Sequence, residues 1–351
     1  MRLLIITQKV DEQDDNLGFF VRWIEEFAKH TEKVTVICLQ KGKYRLPQNV
    51  SVLSLGKEEP ASVWIIKTFR YIERFYVYVW KERDNYDAVF VHMNPIYILL
   101  GGVFWKLLSK KIALWYTHKQ VDIKLRVAEK LADIVFTASK ESFRWKSDKV
   151  HVVGHGIDTE KFKSQISNLK SDGVLKILSV SRITPAKNIH LMLEAAELLK
   201  KEGISFEMKI VGAPIREVDK AYFTRLKKEV QEKNLNDSVF FVGAVPYSDI
   251  PAFYQKSDLF INLSETGSLD KAVLEAMASG VSVLTSNEAF FAILPEKHLL
   301  RNTNTNYIVQ KILEIKAASK DELRELQSLV IQNHSGVSVI KKMADLLKRE
   351  K

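Results

Sequence analysis

LKILSVSRITPAKNIHLMLEAAELLKK, residues 175–201, reads as one strand, one polar turn and one helix. Leu175–Ser181 is a short apolar run of the kind buried in a parallel sheet. Ile189–Lys201 places its apolar residues at helical spacing. Outward from this unit the same alternation continues. Phe206–Val211, Val239–Val242, Leu259–Leu263 and Val281–Thr285 read as strands, with Tyr222–Lys233, Ser248–Gln255 and Lys271–Ala278 as helices between them.

The N-terminal half has its own series. Leu3–Thr7, Val34–Leu39, Val52–Leu55, Ala88–His92, Ile112–Thr117, Ile134–Ala138 and Val150–Val153 are apolar runs, and stretches such as Phe19–Lys29 and Val63–Trp80 have helical period. The expected fold class is α/β, with two Rossmann-like, doubly wound parallel-sheet domains facing a cleft. The polar stretch Lys161–Gly173 reads as the linker. The expected domains are residues 1–165, for the acceptor, and 166–351, for a nucleotide sugar, with the last helix packing back on the first domain. No repeat or low-complexity segment breaks the pattern.

Composition narrows the function classes. The chain has 351 residues, 46% hydrophobic and 27% charged, as in a soluble globular protein. Its one cysteine, Cys38, lies in an apolar run, reads as a small buried hydrophobe, and excludes a disulfide within the chain. MRLLIITQKV lacks the pattern of a signal peptide, and the longest apolar stretch, Ile96–Trp105, has about half the length of a membrane span. The expected location is cytoplasmic, either free or peripheral on the inner face of a membrane. The formal charge is +10, and residues 1–170 carry most of it, with 28 Lys and Arg against 20 Asp and Glu. The remainder has 25 against 23. This asymmetry suits an anionic partner such as a membrane surface, or is a solvated lysine-rich face. No basic stretch has the aromatic interleaving of a nucleic-acid module, so nucleic acid is not an expected partner.

Ligands of doubly wound sheets bind beyond the carboxyl ends of the strands. Three groups of residues fall there. Ser181 and Arg182 end the first strand of the second half, and Lys187 opens the next helix five residues on. Two cations at one sheet mouth suit a pyrophosphate, with Arg giving a planar fork and Lys a point charge. Two unrelated surface cations are the alternative. Ser264–Gly280 (SETGSLDKAVLEAMASG) passes from a strand through a turn at Gly267 into a helix near Asp270, whose free amides form an anion site. Glu275 lies on that helix among apolar residues, bound either to ligand hydroxyls or to Lys271 one turn earlier. His92 ends a strand of the first half, with Asn94 just beyond it, and lines the acceptor side or is an ordinary loop histidine. His151 and His155 have no partner at metal-ligand spacing, and no Asp-x-Asp pair ends a strand, so no metal or tightly held cofactor is expected. Trp64–Arg83 mixes aromatics with Lys67, Arg70, Arg74, Lys81 and Arg83, as a membrane-surface helix or a core helix would.

SVSRITPAKN (179–188) followed by TGSLDKAVLEAMASG (266–280) resembles the nucleotide-sugar domain of family-four GT-B glycosyltransferases. VHVVGHGIDTEKF (150–162), IVGAP (210–214), FVGAV (241–245) and ADIVFTASKE (132–141) extend the resemblance over most of the chain from about residue 112. The first hundred residues match only in outline.

The resemblance implies a retaining, metal-independent enzyme that takes a hexose-type sugar from a UDP- or GDP-linked donor to a glycan or lipid-linked acceptor in cell-envelope or exopolysaccharide synthesis. Arg182 and Lys187 would bind the pyrophosphate, and Glu275 the ribose. Gly243–Val245 would line the base, beside the strand-end positions Ser181 and Gly212. Amides of Gly267, Ser268 and Leu269 would hold the sugar or its phosphate. His118 would face the donor sugar, and Gly18 would stand where the family has a glycine-rich loop. Gly267 replaces a glutamate that the family has eight residues before Glu275. Asp270 or Lys271 would then address the sugar, or Asp270 would complement the helix dipole. The first loop, Asp11–Asn16, is acidic where the family is not. An epimerase or hydrolase of the same fold, and a non-catalytic nucleotide-binding module, are the alternatives.

Overall fold

A computed structural model describes residues 1–60, 63–163, 173–265, 267–315 and 319–349. Most of the expected linker, residues 164–172, lies outside the described residues, as does Thr266 of the SETGSLDK turn. The chain divides into two compact units: residues 1–158, 246–248 and 335–351, and residues 159–245 and 249–334.

The first unit is built on a seven-stranded parallel sheet of β1 (Arg2–Val10), β2 (Lys33–Lys41), β3 (Val50–Ser54), β4 (Ala88–His92), β5 (Lys111–Trp115), β6 (Ile134–Thr137) and β7 (Val150–Val152), in the order β3-β2-β1-β4-β5-β6-β7. Leu3–Ile6 and Val89–Val91 are fully buried, because helices cover both faces of the sheet. Between the strands run α1 (Phe19–Lys29), α2 (Trp64–Lys81), α3 (Ile96–Leu107) and α4 (Ile123–Leu131). β1 outruns the expected Leu3–Thr7, because its ladder with β2 continues through Lys9↔Gln40 and Val10↔Lys41.

The second unit opens with the short α5 (Thr159–Phe162) and is built on β8 (Leu175–Val180), β9 (Phe206–Val211), β10 (Val239–Gly243), β11 (Leu259–Asn262) and β12 (Ser282–Thr285), all parallel, in the order β10-β9-β8-β11-β12. Its larger helices are α6 (Ile189–Lys201), α7 (Glu217–Glu232), α8 (Ile250–Tyr254), α9 (Lys271–Ala278), α10 (Thr305–Ile315) and α11 (Lys320–His334). α7 starts five residues before the expected Tyr222. Its first turn is polar, and Asp219 fixes it by accepting from the backbone amide and guanidinium of Arg216. α12 (Gly336–Lys348) returns to the first unit, packs on α1, and accepts the Lys111 ammonium at the carbonyl of Leu346.

In each sheet the order reverses beside its first strand, between β1 and β4 and between β8 and β11. Such reversals leave a crevice at the strand ends.

Candidate functional site

β8 delivers Ser181 and Arg182 to the mouth of the five-stranded sheet. The Ser181 amide donates to Val211 O at 3.0 Å and the Ile183 amide to Ala213 O at 3.1 Å, so the chain stays pinned to the β9 edge through the turn. Gly212 is required there. It has φ +135°, and a Cβ on it would lie 1.9 Å from Ser181 O. Arg182 is exposed and makes no hydrogen bond or ion pair among the described residues. Its charge still reaches Asp219, whose carboxyl is pushed down to about 2, first by the Arg216 hydrogen bond and least by Arg182. The Ser181 hydroxyl and that of Ser286, just past β12, are buried without a hydrogen-bond partner among the described residues. A buried hydroxyl without a protein partner can bond a water or a ligand.

A 3₁₀ turn, Pro185–Lys187, then leads into α6. Asn188 sits in the left-handed region, φ 48°, and its amide donates to Leu263 O at 3.1 Å and to Glu265 Oε1 at 2.8 Å. The Glu265 amide donates to Ala186 O at 3.1 Å. These bonds stitch the loop after β8 to the loop after β11. Across the seam Lys187 Nζ lies 3.0 and 3.1 Å from the two oxygens of Asp270, and 3.1 Å from Ser264 Oγ. Asp270 also accepts from Asn262 at 3.1 Å and from Asn287 at 3.3 Å. Burial pushes the Asp270 carboxyl up, but the Lys187 charge and the hydrogen bonds outweigh it and hold the group below its usual range. Thr285 donates to Asn262 at 3.0 Å, and Asn287 to Ser268 O at 2.8 Å, which fixes the turn before α9.

Asp270 occupies the cap position of α9, yet its side chain makes no capping hydrogen bond. Its carboxylate points to Lys187, and the amides at the helix start keep their anion-binding capacity. Gly267, φ 63°, and Leu269 are buried in this turn, and Ser268 is half-buried. Lys271 is half-buried, and burial drives its ammonium well below the usual lysine range, with Glu275 opposing. Glu275 is only 4% exposed and accepts from Tyr254 at 3.3 Å. The same hydroxyl reaches Ala272 O at 3.0 Å. Burial and the Glu275 charge raise the Tyr254 phenol well above its ordinary value. At the far edge, Gly212 N donates to Gly243 O at 2.8 Å, and the Cα of Gly243 faces open space beside half-buried Val245.

The remaining candidates belong to the first unit. His118 is exposed after β5, and its Nδ1 accepts the Gln120 amide at 3.1 Å. Asn94 accepts the amide of Ile96 at 3.2 Å and shapes the start of α3. His92 is 2% exposed, 3.2 Å from Thr7 Oγ1 through Nδ1, and stacked on Phe20 at 4.0 Å. The Gly18 amide donates to Asp14 O at 3.1 Å at the start of α1. The acidic first loop is structural: Asp14 accepts Lys9 at 2.6 Å and the amides of Asn16 and Leu17. Among the described residues no three His, Cys, Asp or Glu side chains gather to hold a metal ion.

The structure thus brings Ser181, Arg182, Lys187, Gly267, Ser268, Asp270 and Glu275 around the ends of β8 and β11. The sequence reading missed Asn188, Tyr254, Asn262, Thr285, Asn287 and Ser286. The one available signal was a neutral polar residue within an apolar run, as at Asn262 in Leu259–Leu263.

A doubly wound five-stranded sheet with a cationic mouth, in a chain whose other unit is wound on the same plan, is the GT-B glycosyltransferase fold. A solved Anabaena protein, HepE, described in complex with UDP and glucose, superposes over 100% of both chains with a TM-score of 0.78 at 16% identity. Residues 149–323 match the model of the family described as glycosyl transferases group 1, and through them the chain belongs to that family. The amylovoran biosynthesis glycosyltransferase AmsK of Erwinia amylovora is 31% identical over 149 residues, which is 41% of this chain and 35% of that protein. The alpha-monoglucosyldiacylglycerol synthase of Streptococcus pneumoniae is 29% identical over 206 residues, 55% of this chain and 44% of that one. The chain therefore spans less than half the length of these two relatives.

Proposed function

We propose that the protein is a retaining glycosyltransferase that takes a hexose-type sugar from a UDP- or GDP-linked donor and transfers it, without a metal ion, to a glycan or lipid-linked acceptor of the cell envelope or exopolysaccharide. The observation that carries this reading is the mouth of the five-stranded sheet. Arg182 stands there without an ion-pair partner among the described residues, beside Lys187, the Ser181 hydroxyl and the start of α9. Family membership supports the reaction class. The UDP and glucose of the Anabaena protein support a nucleotide-sugar donor, and the names of the two relatives support envelope glycans and lipids as acceptors.

In this reading the bond between the anomeric carbon and the diphosphate oxygen breaks, and its electron pair leaves on the phosphate. Arg182, Lys187 and the α9 amides stabilise that developing charge. The acceptor oxygen bonds to the anomeric carbon on the face being vacated, and its proton passes to the departing phosphate oxygen. Glu275 accepts hydrogen bonds from the ribose, and Gly243–Val245 border the base. Lys187 must exchange part of its contact with Asp270 for phosphate. The acceptor is assigned to the first unit, where Asn94 follows β4.

The test is incubation with UDP- and GDP-sugars and with glycan and lipid acceptors, with and without EDTA. Transfer that survives chelation is expected. Release of free sugar, an epimerised donor, or binding without turnover would overturn the transferase reading. Loss on chelation restored by magnesium would overturn metal independence.

A further inference from the structure

Glu275 is a carboxylate that the fold has to aim. Its neighbours on α9, from Val273 to Ala278, are apolar and buried, and Glu275 is itself buried among them. A helix restricts the first side-chain torsion of a glutamate and leaves the outer ones to the surroundings. A carboxylate that receives two neighbouring hydroxyls has to hold its oxygens in one orientation. Lys271, one turn earlier, attracts Glu275 by charge, which has no preferred direction. A hydrogen bond does have one.

Tyr254 supplies such a bond. Its hydroxyl lies 3.3 Å from Glu275 Oε2 and 3.0 Å from Ala272 O. A phenol has one proton to donate, and of these two acceptors the carboxylate is the charged one, to which hydrogen bonds are stronger. The donor is rigid. Tyr254 is fully buried at the end of α8, with the Phe162 ring of α5 edge-on at 5.7 Å and the Phe260 ring of β11 at 5.6 Å. Burial and the Glu275 charge keep the phenol protonated well past the ordinary tyrosine range, so it remains a donor at neutral pH. Packing between Phe162 and Phe260 would be served as well by phenylalanine, which has no hydroxyl to bury.

We infer that Tyr254 is a positioning residue for nucleotide recognition: it holds the Glu275 carboxylate in the orientation that accepts the 2′- and 3′-hydroxyls of the ribose, and so sets the preference for a ribonucleotide over a deoxyribonucleotide. Tyr254 meets no ligand itself and acts through Glu275. The inference rests on Glu275 as the ribose contact, and extends it to a residue on another helix.

The experiment is calorimetry of the full chain with UDP and GDP and with the 2′-deoxy and 3′-deoxy forms of each. The readout is the ratio of ribonucleotide to deoxyribonucleotide affinity, which a general loss of stability does not move. The native chain should prefer the ribonucleotide of whichever base it binds. Tyr254→Phe keeps the ring in place and should lower the ratio roughly fivefold. In the Glu275→Ala background the preference should be gone, and adding Tyr254→Phe should change nothing further. Phe162→Leu keeps both polar groups but slackens the ring that aims them, and should lower the ratio by less. Circular dichroism and thermal midpoint establish that each variant is folded. An unchanged ratio in folded Tyr254→Phe, including an equal loss of affinity for both kinds of nucleotide, would overturn the inference and leave the ribose reading standing. Should Tyr254→Phe not fold, an unchanged ratio in Phe162→Leu overturns it in the same way. A native chain without the preference, or one whose preference survives Glu275→Ala, would overturn the ribose reading itself and the inference with it.

Discussion

At the carboxyl ends of β1 and β4 the seven-stranded sheet is closed by rings. His92 is stacked on Phe20, and Trp23 packs on Trp115 with ring centres 4.9 Å apart. At the corresponding ends of β8 and β11 the five-stranded sheet carries charge, with Arg182, Lys187 and Asp270 in its loops and Glu275 buried on α9. The two sheets reverse strand order in the same way, so the scaffold does not decide which mouth binds an anion. The filling decides. Rings pack a crevice shut, whereas the charged mouth leaves the Ser181 and Ser286 hydroxyls buried and without partners among the described residues.

The largest effect expected from this contrast is on turnover. Arg182→Ala should lower kcat about a hundredfold, because one preorganised charge at a developing anion contributes about 3 kcal/mol. Single-turnover kinetics with donor and acceptor checks it, and near-normal rates would move the phosphate site elsewhere. A middle-sized effect belongs to Glu275. Glu275→Ala should weaken binding of the free nucleoside diphosphate about tenfold, or ~1.4 kcal/mol, since a ribose contact does not need the sugar. Glu275→Gln should weaken it less, because an amide oxygen still accepts one hydrogen bond. Calorimetry with nucleotide alone measures both, and unchanged affinity would leave Glu275 in a structural role beside Tyr254 and Lys271. The smallest effect on the donor is expected from the ring-filled mouth. His92→Ala should leave nucleotide affinity unchanged while lowering stability by about 2 kcal/mol through the cavity beside Phe20. A chemical-denaturation midpoint and the same calorimetry separate the two, and a loss of nucleotide affinity would erase the contrast.

Much of the scaffold was legible because its strands are buried on both faces and read as short Val- and Ile-rich runs. The bounds of α6 and α9 coincide with the expected Ile189–Lys201 and Lys271–Ala278. The first turn of α7 was not legible, since Glu217–Lys220 is polar and depends on Arg216 and Asp219 finding each other. Arg182, Lys187 and Glu275 stood out because a charge at a strand end, or within an apolar helix, is conspicuous in any sequence. The Lys187–Asp270 pair did not stand out, because its members are 83 residues apart. Asp270 is expected to serve the sugar or the helix dipole, and its carboxylate also holds the lysine. Asn188, Asn262 and Asn287 carry no periodicity, and their part in the site exists only once two loops are folded against each other.

The return of α12 to α1 gives the chain an order of assembly during synthesis. Residues 159–334, but for 246–248, make up the second unit, and Ser335 bridges back to Ile157 before α12 begins. A ribosome adding ~5–20 residues per second needs roughly 10–40 s between residue 158 and the end of α12. For that time α1 waits without Val339, Ile340 and Met343, the buried side chains of the helix that packs on it. The N-terminal unit is begun first and finished last, so a stall or cleavage late in the chain damages the part made earliest.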